Sequence, residues 1–223
     1  MSVLDLFLNI DIMRQAFGFL LQGLGVTLVL CAAVVPAAAL AGLVIAVLAA
    51  LRRPWLTRAL IVYVDVLRAL PPLVLLIFVY NAPPFMGYKI SEFSAVLIAL
   101  TLNGSSYYGE IFRAGVESIG RGSWEAARST GLTWTQTMTW VILPQAVRNV
   151  LPDLISNSLE VVKLTSLASV VALHELMYAA RSAQQVTFNY SPLVLAVFMY
   201  FVILWPFVRL LSRLENRALA RRG

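Results

Sequence analysis

Four polar side chains lie at the spacing of one helical face in the middle of the chain. They are Asn103, Ser106, Tyr107 and Glu110, at positions i, i+3, i+4 and i+7. Amide, hydroxyl and carboxyl groups in this arrangement can hydrogen-bond a polar solute or relay a proton. Most of their neighbours are apolar, and a polar group inside a bilayer is costly unless it is paired or faces water. The pattern therefore predicts a helix whose polar face lines a cavity.

A second polar stripe occurs further along the chain. Asn157, Glu160 and Lys163 recur at every third position, and Thr165 and Ser166 follow them closely. A helix with this face is too polar to lie against lipid. The two stripes together are expected to surround a route for a zwitterionic solute.

Three pairs of opposite charge offer a purely structural alternative. The members of each pair are three positions apart, so they can neutralise each other on a helix surface. The pairs are Asp65 with Arg68, Glu110 with Arg113, and Glu160 with Lys163. We favour the structural role for the first two pairs, which lie near predicted helix ends, and the solute route for Asn157 and Glu160.

No arrangement typical of catalysis or metal binding accompanies the two stripes. His174 is the single histidine of the chain, and one histidine does not make an ordinary zinc site. We expect His174 and the adjacent Glu175 to be interfacial polar residues. The chain also lacks the G-x-x-x-x-G-K-[ST] loop that cradles ATP phosphates. The sequence thus predicts no catalytic residue, metal site or cofactor on this chain.

The composition indicates that membrane helices position these residues. Hydrophobic residues make up 60% of the chain and charged residues only 13%, whereas soluble domains carry about 25% charged residues. Apolar runs of roughly 18 residues or more can cross a bilayer as helices. They predict an all-α membrane protein, one domain over 1–223, with about five spans. The predicted spans are 19–51, 59–80, 93–112, 154–173 and 192–211.

Basic residues set the predicted orientation, because cytoplasmic loops are enriched in Lys and Arg. Arginines cluster after the first span, between the third and fourth spans, and at the C-terminal end, where they are Arg209, Arg213, Arg217, Arg221 and Arg222. The opposite side holds Arg14, Lys89 and Arg181. We therefore expect a multi-pass protein with its N-terminus outside and its C-terminus in the cytoplasm. The net charge of +6 follows from this topology and requires no nucleic acid.

A polar decamer, GSWEAARSTG, interrupts the apolar chain at 122–131. Ser123 is suited to cap a helix, Glu125 favours its first turn, and Gly131 can adopt the left-handed conformation that ends it. The decamer therefore predicts a short helix over 124–130, about 10 Å long.

The whole segment 121–152 is longer than a connector needs, since most loops have about 4 to 6 residues. Further helix is expected up to Pro144, and Pro152 precedes the return to the membrane. We expect this cytoplasmic segment to dock onto another protein.

The segment resembles the EAA loop of the permease subunits of ABC importers. The matching residues are Glu125, Ala126, Ala127, Gly131, Leu143 and Pro144, with Val141 where Ile is usual. The resemblance implies a type I importer permease fold in a bacterial inner membrane, with the EAA segment as the coupling helix. It also implies the partners: two cytoplasmic ATP-binding subunits that hold ATP and Mg, a second permease, identical or paralogous, and an external solute-binding protein.

Three further blocks resemble the polar amino-acid uptake branch of this family. They are LRALPPLVLLIFVY, which keeps Arg68 and Pro71, then LTLNGSSYYGEIFRAG, and VILPQAVRNVLP followed by VVKLTSL. The chain departs from that branch at Leu70, Leu75 and Leu164, where Thr, Gln and Asp are usual, and at Glu160, where Ser is usual. We expect an amino acid or related solute, less polar or larger than usual, with Glu160 attracting a cationic group.

Two other functions remain open at this point. An ion-coupled secondary carrier would use Glu110 or Glu160 as its ion site, but such carriers typically show paired repeats, which the sequence does not display. A membrane scaffold would use the cytoplasmic segment to recruit a partner, but it would gain nothing from the polar stripes. The leading prediction is half of the translocation pathway of an ATP-driven importer.

Overall fold

The chain folds into helices throughout its described part. This computed structural model describes the backbone of residues 3–220 and the side chains of residues 5–213, so the side chains of Arg217, Arg221 and Arg222 lie outside it. The α-helices are α1 (Val3–Phe7), α2 (Ile10–Ala49), α3 (Pro54–Ala69), α4 (Pro72–Phe85), α5 (Glu92–Glu117), α6 (Arg121–Ser129), α7 (Trp134–Gln136), α8 (Leu143–Asn149), α9 (Leu151–Leu164), α10 (Leu176–Thr187) and α11 (Ser191–Ala220). A π-helical turn (Thr137–Ile142) precedes α8, and a 3-10 helix (Thr165–Val171) follows α9. The predicted all-α class is confirmed.

Helices α2 and α5 form the centre of the fold. The Oδ1 of Asn9 accepts a hydrogen bond from the N–H of Ile12 at 3.1 Å, which caps the start of α2. Glycine lets the two helices approach closely, because a Cβ at Gly42 would overlap the Cβ of Tyr108 and lie 2.7 Å from the backbone N of Gly109. The surrounding core includes Leu30, Val34, Leu76, Val96 and Leu100, all nearly inaccessible to solvent.

Three helical stretches among the described residues are long and apolar enough to cross a membrane. They are Asp5–Ala49, Leu151–Val171 and Ser191–Arg213, which match the predicted spans 19–51, 154–173 and 192–211. The pair α3 and α4 would make a fourth crossing if it is counted as one bent span. Helix α5, at the predicted span 93–112, has enough residues to cross a membrane, but it is not among the helices that are also apolar enough. The structure therefore supports a multi-pass membrane protein without reproducing all five spans.

The predicted span 59–80 is wrong as a continuous helix. Helix α3 ends at Ala69, α4 begins at Pro72, and the two helices are bent by 101°. Leu70 is extended, with φ −82 and ψ 131. Pro71 and Pro72 explain the break, because they lack the N–H groups that would continue α3 and because proline disfavours helical backbone at the residue before it.

The segment 121–152 is helical as predicted, but α6 begins earlier than expected. The prediction of Ser123 as the N-cap is wrong, since Gly120 occupies that position and the N–H of Ser123 donates to the carbonyl of Gly120 at 3.1 Å. A capping box instead starts α7, between Thr133 and Gln136. Gly131 has φ +84, which confirms the predicted left-handed end of α6.

The N-terminal residues are fastened to the turn between α10 and α11. The N–H of Tyr190 donates to the carbonyl of Leu6 at 2.8 Å, and the Nδ2 of Asn189 donates to the carbonyl of Asp5 at 2.8 Å. The N–H of Asn9 donates to the Oγ of Ser191, also at 2.8 Å. These bonds hold the N-terminal residues against the start of α11.

Candidate functional site

The first polar stripe is largely enclosed within the subunit. Asn103 is 2% exposed and Ser106 is fully buried. The Nδ2 of Asn103 donates to the carbonyl of Leu67 at 3.3 Å, and the Oγ of Ser106 donates back to the carbonyl of Asn103 at 2.6 Å. Asn103 therefore fastens the end of α3 to α5, whereas Tyr107 and Glu110 are only half-buried.

Arg68 contacts α5 rather than its predicted partner. Its guanidinium lies over the ring of Tyr107, 5.2 Å from the centroid, and its Nη1 lies 3.9 Å from the Oε2 of Glu110. The predicted pair of Asp65 with Arg68 is not among the ion pairs of the described residues, and Asp65 is exposed. A half-buried carboxylate together with an aromatic ring holds a guanidinium better than an exposed carboxylate one turn away.

Arg113 is the centre of an ion-pair network at the end of α5. Its Nη2 lies 2.7 Å from the Oε2 of Glu110, as predicted, and its Nη1 lies 2.8 Å from the Oε1 of Glu117. Glu110 thus bridges Arg68 and Arg113 and joins the end of α3 to α5. The predicted pair of Glu110 with Arg113 is therefore present, whereas Arg68 pairs with Glu110 in place of Asp65.

The second stripe presents charge on the open surface of α9. The Nζ of Lys163 donates to the Oε1 of Glu160 at 2.5 Å, and these side chains are 54% and 62% exposed, respectively. Asn157 lies one turn before the pair, and its buried Nδ2 has no hydrogen-bond partner among the described residues. An exposed ion pair and an unsatisfied amide therefore occur together on a helix apolar enough to cross a membrane.

Thr165 and Ser166 contribute to the packing of this helix more than to its open face. Thr165 is fully buried, donates to the carbonyl of Val162 at 2.7 Å and lies 3.9 Å from the Sγ of Cys31 on α2. The Oγ of Ser166 donates to the carbonyl of Lys163 at 2.8 Å. Both hydroxyls are satisfied locally in the single chain.

One face of helix α6 packs on the rest of the chain, and the opposite face is exposed. Ala127 is 7% exposed and Trp124 packs into a small cluster below it, whereas Glu125 and Ala126 are exposed. Only Ala126 of the two alanines is thus free for a close approach by another protein. The exposed Gly131 has open space around the position that a Cβ would take.

A hydrophobic cluster supports α6 from the side of the bundle. Its buried members are Val116, Met138, Ile142 and Ala146, and Ala50, Ile119, Trp124, Trp134, Val141 and Leu143 pack against them. The cluster joins the end of α5, the end of α2 and the π-helical turn. Pro144 stands in the first turn of α8, directly after the π-helical turn. The residues of the EAA pattern therefore divide between an exposed helix and its hydrophobic base.

The prediction of Glu175 as an interfacial polar residue is wrong. This residue is fully buried rather than interfacial, and its carboxylate caps α10 by accepting from the N–H groups of Met177 and Tyr178 at 2.9 and 2.8 Å. The hydroxyls of Thr27 on α2 and Tyr200 on α11 also donate to it, at 3.4 and 3.1 Å. One carboxylate therefore ties three helices together, and no spacing in the sequence indicates these distant donors.

We predict that Glu175→Ala lowers the free energy of unfolding by about 2–4 kcal/mol, because a helix cap is lost and buried donors remain unsatisfied. Burial raises the pKa of the Glu175 carboxyl, although the two N–H donors oppose this shift. A raised folded-state pKa means that its contribution to stability is fully present below the unfolded-state pKa and is lost as the pH rises through the folded-state pKa. The unfolding temperature of the wild type should therefore fall with rising pH relative to that of Glu175→Gln.

Thermal unfolding in detergent from acid to neutral pH measures this difference. Glu125→Gln serves as the control at an exposed carboxylate, and it should run parallel to the wild type. Parallel curves for the wild type and Glu175→Gln would contradict the prediction.

Comparisons with known proteins agree with this arrangement. A model of the family described as "Binding-protein-dependent transport system inner membrane component" matches residues 42–219. The probable glutamine ABC transporter permease protein GlnP of Bacillus subtilis is 34% identical over 208 residues, 92% of this chain and 95% of that protein. The arginine transport system permease protein ArtQ of the same organism is 32% identical over 191 residues, 83% of this chain and 85% of that protein.

Solved structures show the same fold. A crystal structure of an amino acid ABC transporter with histidines matches with a TM-score of 0.81 and 35% identity, over 92% of this chain and 96% of that chain. The inward-facing MetNI methionine ABC transporter matches with a TM-score of 0.72 and 21% identity, over 88% of this chain and 96% of that chain. Matches of this extent favour neither an ion-coupled carrier nor a scaffold. The chain belongs to the binding-protein-dependent transport system inner membrane components, the permease subunits of ABC importers.

Proposed function

We propose that the chain supplies half of the translocation pathway for an amino acid or related solute. A second permease, identical or paralogous, supplies the other half, and an external solute-binding protein delivers the solute. Two cytoplasmic ATP-binding subunits drive the cycle and hold the ATP and Mg. The relatives named for glutamine and arginine transport support the amino-acid class.

The observation that carries this proposal is the exposed pair of Glu160 and Lys163 on α9. Both side chains are more than half exposed in the single chain. Charged groups on a membrane-spanning helix face a water-filled route or another protein rather than lipid. The open face of α9, with Glu160 and Lys163, is therefore the wall of the pathway.

A second chain is needed to enclose that wall. Two grooves of about 370 and 410 Å³ lie on the surface of the described part of the chain, and both are lined mainly by apolar side chains. Neither groove includes a residue of α5 or α9. Since a single chain presents the polar stripe without covering it, the paired permease completes the cavity.

The proposed orientation has five spans, with α3 and α4 counted as one bent span and α5 as another. The N-terminus is outside and the C-terminus is in the cytoplasm, in the inner membrane of a bacterium. The clusters of arginine on one side support this orientation through the excess of positive charge in cytoplasmic loops. Helix α6 then lies on the cytoplasmic side, where the ATP-binding subunits are.

We further propose that α6 is the coupling helix. Its exposed residues, Glu125 and Ala126, contact the ATP-binding subunit, and Gly131 turns the chain away from the contact. Trp124 holds the helix on the cluster that joins α2, α5 and the π-helical turn, and Ala127 is buried on the same helix. A displacement of α6 is therefore carried to two central helices of the pathway.

The geometry of the pathway favours a zwitterion over a simple cation. Lys163 neutralises Glu160, so the pair offers one negative and one positive group at the same place. A free amino acid carries the complementary groups on its α-carbon. This differs from the expectation that Glu160 by itself attracts a cationic side chain.

We predict that Glu160→Gln and Lys163→Gln each reduce uptake about 10-fold or more, since a charged hydrogen bond contributes about 1.5–3 kcal/mol. Uptake is measured in proteoliposomes that hold the complete transporter and its binding protein. The double variant Glu160→Lys with Lys163→Glu keeps an ion pair but reverses it. It should remain impaired, whereas full activity would show that the pair only neutralises charge.

Competition with lysine, glutamine and glutamate in the same assay tests the solute class. We expect glutamine to compete at least as well as lysine, because the pair carries no net charge. A clear preference for glutamate would count against this assignment.

A further inference from the structure

The turn between α2 and α3 is a basic surface without acidic neighbours in the sequence. Arg52, Arg53 and Arg58 are exposed, and none of them is in an ion pair among the described side chains. No acidic residue occurs between Asp11 and Asp65. The positive charge of this turn is therefore not neutralised within its own part of the chain.

The backbone holds these arginines in a defined arrangement. Arg52 has φ +53, a left-handed conformation that is uncommon for a residue with a side chain. Its N–H donates to the carbonyl of Ala49 at 3.1 Å, and the N–H of Thr57 donates to the carbonyl of Arg53 at 2.9 Å. Arg52 and Arg53 thus lie in a short turn that backbone hydrogen bonds fix on both sides.

An apolar stripe on α3 begins beside the arginines. Trp55, Val62 and Val66 are 66%, 61% and 51% exposed, and their spacing of seven and four positions places them on one helical face. Guanidinium groups bind phosphate with paired hydrogen bonds, and tryptophan is enriched at the level of lipid headgroups. A phospholipid would contact both the arginines and the stripe, whereas a soluble anion would contact the arginines alone.

We propose that Arg52, Arg53, Arg58 and Trp55 form a binding surface for an anionic phospholipid, with its headgroup on the arginines and its acyl chains along α3. The proposed orientation of the chain places this lipid in the cytoplasmic leaflet, although the binding chemistry does not depend on it. Ala50, at the start of the turn, packs on the same cluster as Trp124 of α6. The bound lipid therefore braces the base of the proposed coupling helix.

Native mass spectrometry of the purified transporter, exchanged into phosphatidylglycerol or phosphatidylcholine, tests the surface. The wild type should retain phosphatidylglycerol in preference to phosphatidylcholine. Each exposed arginine is expected to raise the affinity for the anionic lipid about fivefold. Changing all three to glutamine should therefore weaken retention of phosphatidylglycerol about 100-fold. The corresponding change to lysine keeps the charge that sets topology but loses the paired hydrogen bonds, and it should be intermediate.

Arg14→Gln, at the opposite end of α2, is the matched control and should retain lipid like the wild type. Equal retention by the triple glutamine variant and the wild type would overturn the proposal. Displacement of the lipid by inorganic phosphate alone would assign the arginines to a soluble anion instead. Brominated phosphatidylglycerol should quench a fluorescence component that Trp55→Phe lacks, and the same quenching in both proteins would also overturn it.

Discussion

Gly131→Trp is expected to abolish ATP-driven uptake and to release the ATP-binding subunits, while the chain still folds. A Cβ at this position meets no other atom of the chain within 4 Å, so the indole extends outward from the end of α6. If α6 docks in a groove of the ATP-binding subunit, the indole occupies space that the partner needs. A bulky side chain at the centre of an interface weakens the free energy of binding by about 2–4 kcal/mol, which lowers the affinity about 30-fold or more.

Backbone strain has to be separated from bulk in this experiment, because Gly131 has φ +84. Gly131→Ala introduces the strain of about 1–2 kcal/mol without the bulk, and Gly131→Asn tolerates the left-handed conformation. Co-purification of the ATP-binding subunits should be near normal for Asn, reduced for Ala and absent for Trp. Normal co-purification and uptake with Trp would contradict the assignment of α6 as the coupling helix.

Gly42→Val is expected to prevent folding of the bundle. Its side chain would overlap the Cβ of Tyr108 and crowd the backbone of Gly109, and neither backbone can move without opening the contact between α2 and α5. Overpacking that a flexible side chain can relieve costs about 1–3 kcal/mol. Contact with fixed backbone costs more, so we expect little monodisperse protein in detergent.

Gly25→Val is the matched control, because Gly25 lies on the same helix and nothing lies within 4 Å of its Cβ position. It has the same change in helix propensity and the same added volume. Size-exclusion profiles and unfolding temperatures should therefore distinguish the two variants. Equal behaviour would show that α2 and α5 do not meet closely at Gly42.

The long helices and the helical decamer were predictable because residues close together in the sequence determine them. Apolar runs show where long helices lie, and Gly131 marks a helix end through its own backbone freedom. The break before Pro72 was also local, since Pro71 and Pro72 have no N–H to donate to α3 and proline disfavours helical backbone at the residue before it. The hydropathy remains high on both sides of the break, and for that reason the sequence predicts one continuous span there.

Contacts between distant residues were not predictable from one sequence. Spacing suggested that Arg68 pairs with Asp65, but the fold places Glu110 and Tyr107 beside it. Asn103 has the spacing of a cavity-lining residue, yet it donates to the carbonyl of Leu67. Glu175 carried no signal at all, because its partners Thr27 and Tyr200 lie on helices that only the fold brings together.

During synthesis, residues 5–9 leave the ribosome long before the residues that bind them. Ser191 follows Asn9 by 182 residues, a delay of roughly 10–40 s at about 5–20 residues per second. The carbonyl of Leu6 and the N–H of Asn9 therefore have no Tyr190 or Ser191 to bind until α11 has begun to enter the membrane. A chain that stops earlier leaves its N-terminal segment undocked and accessible to proteases, so this contact distinguishes a chain that has reached α11 from one that has not.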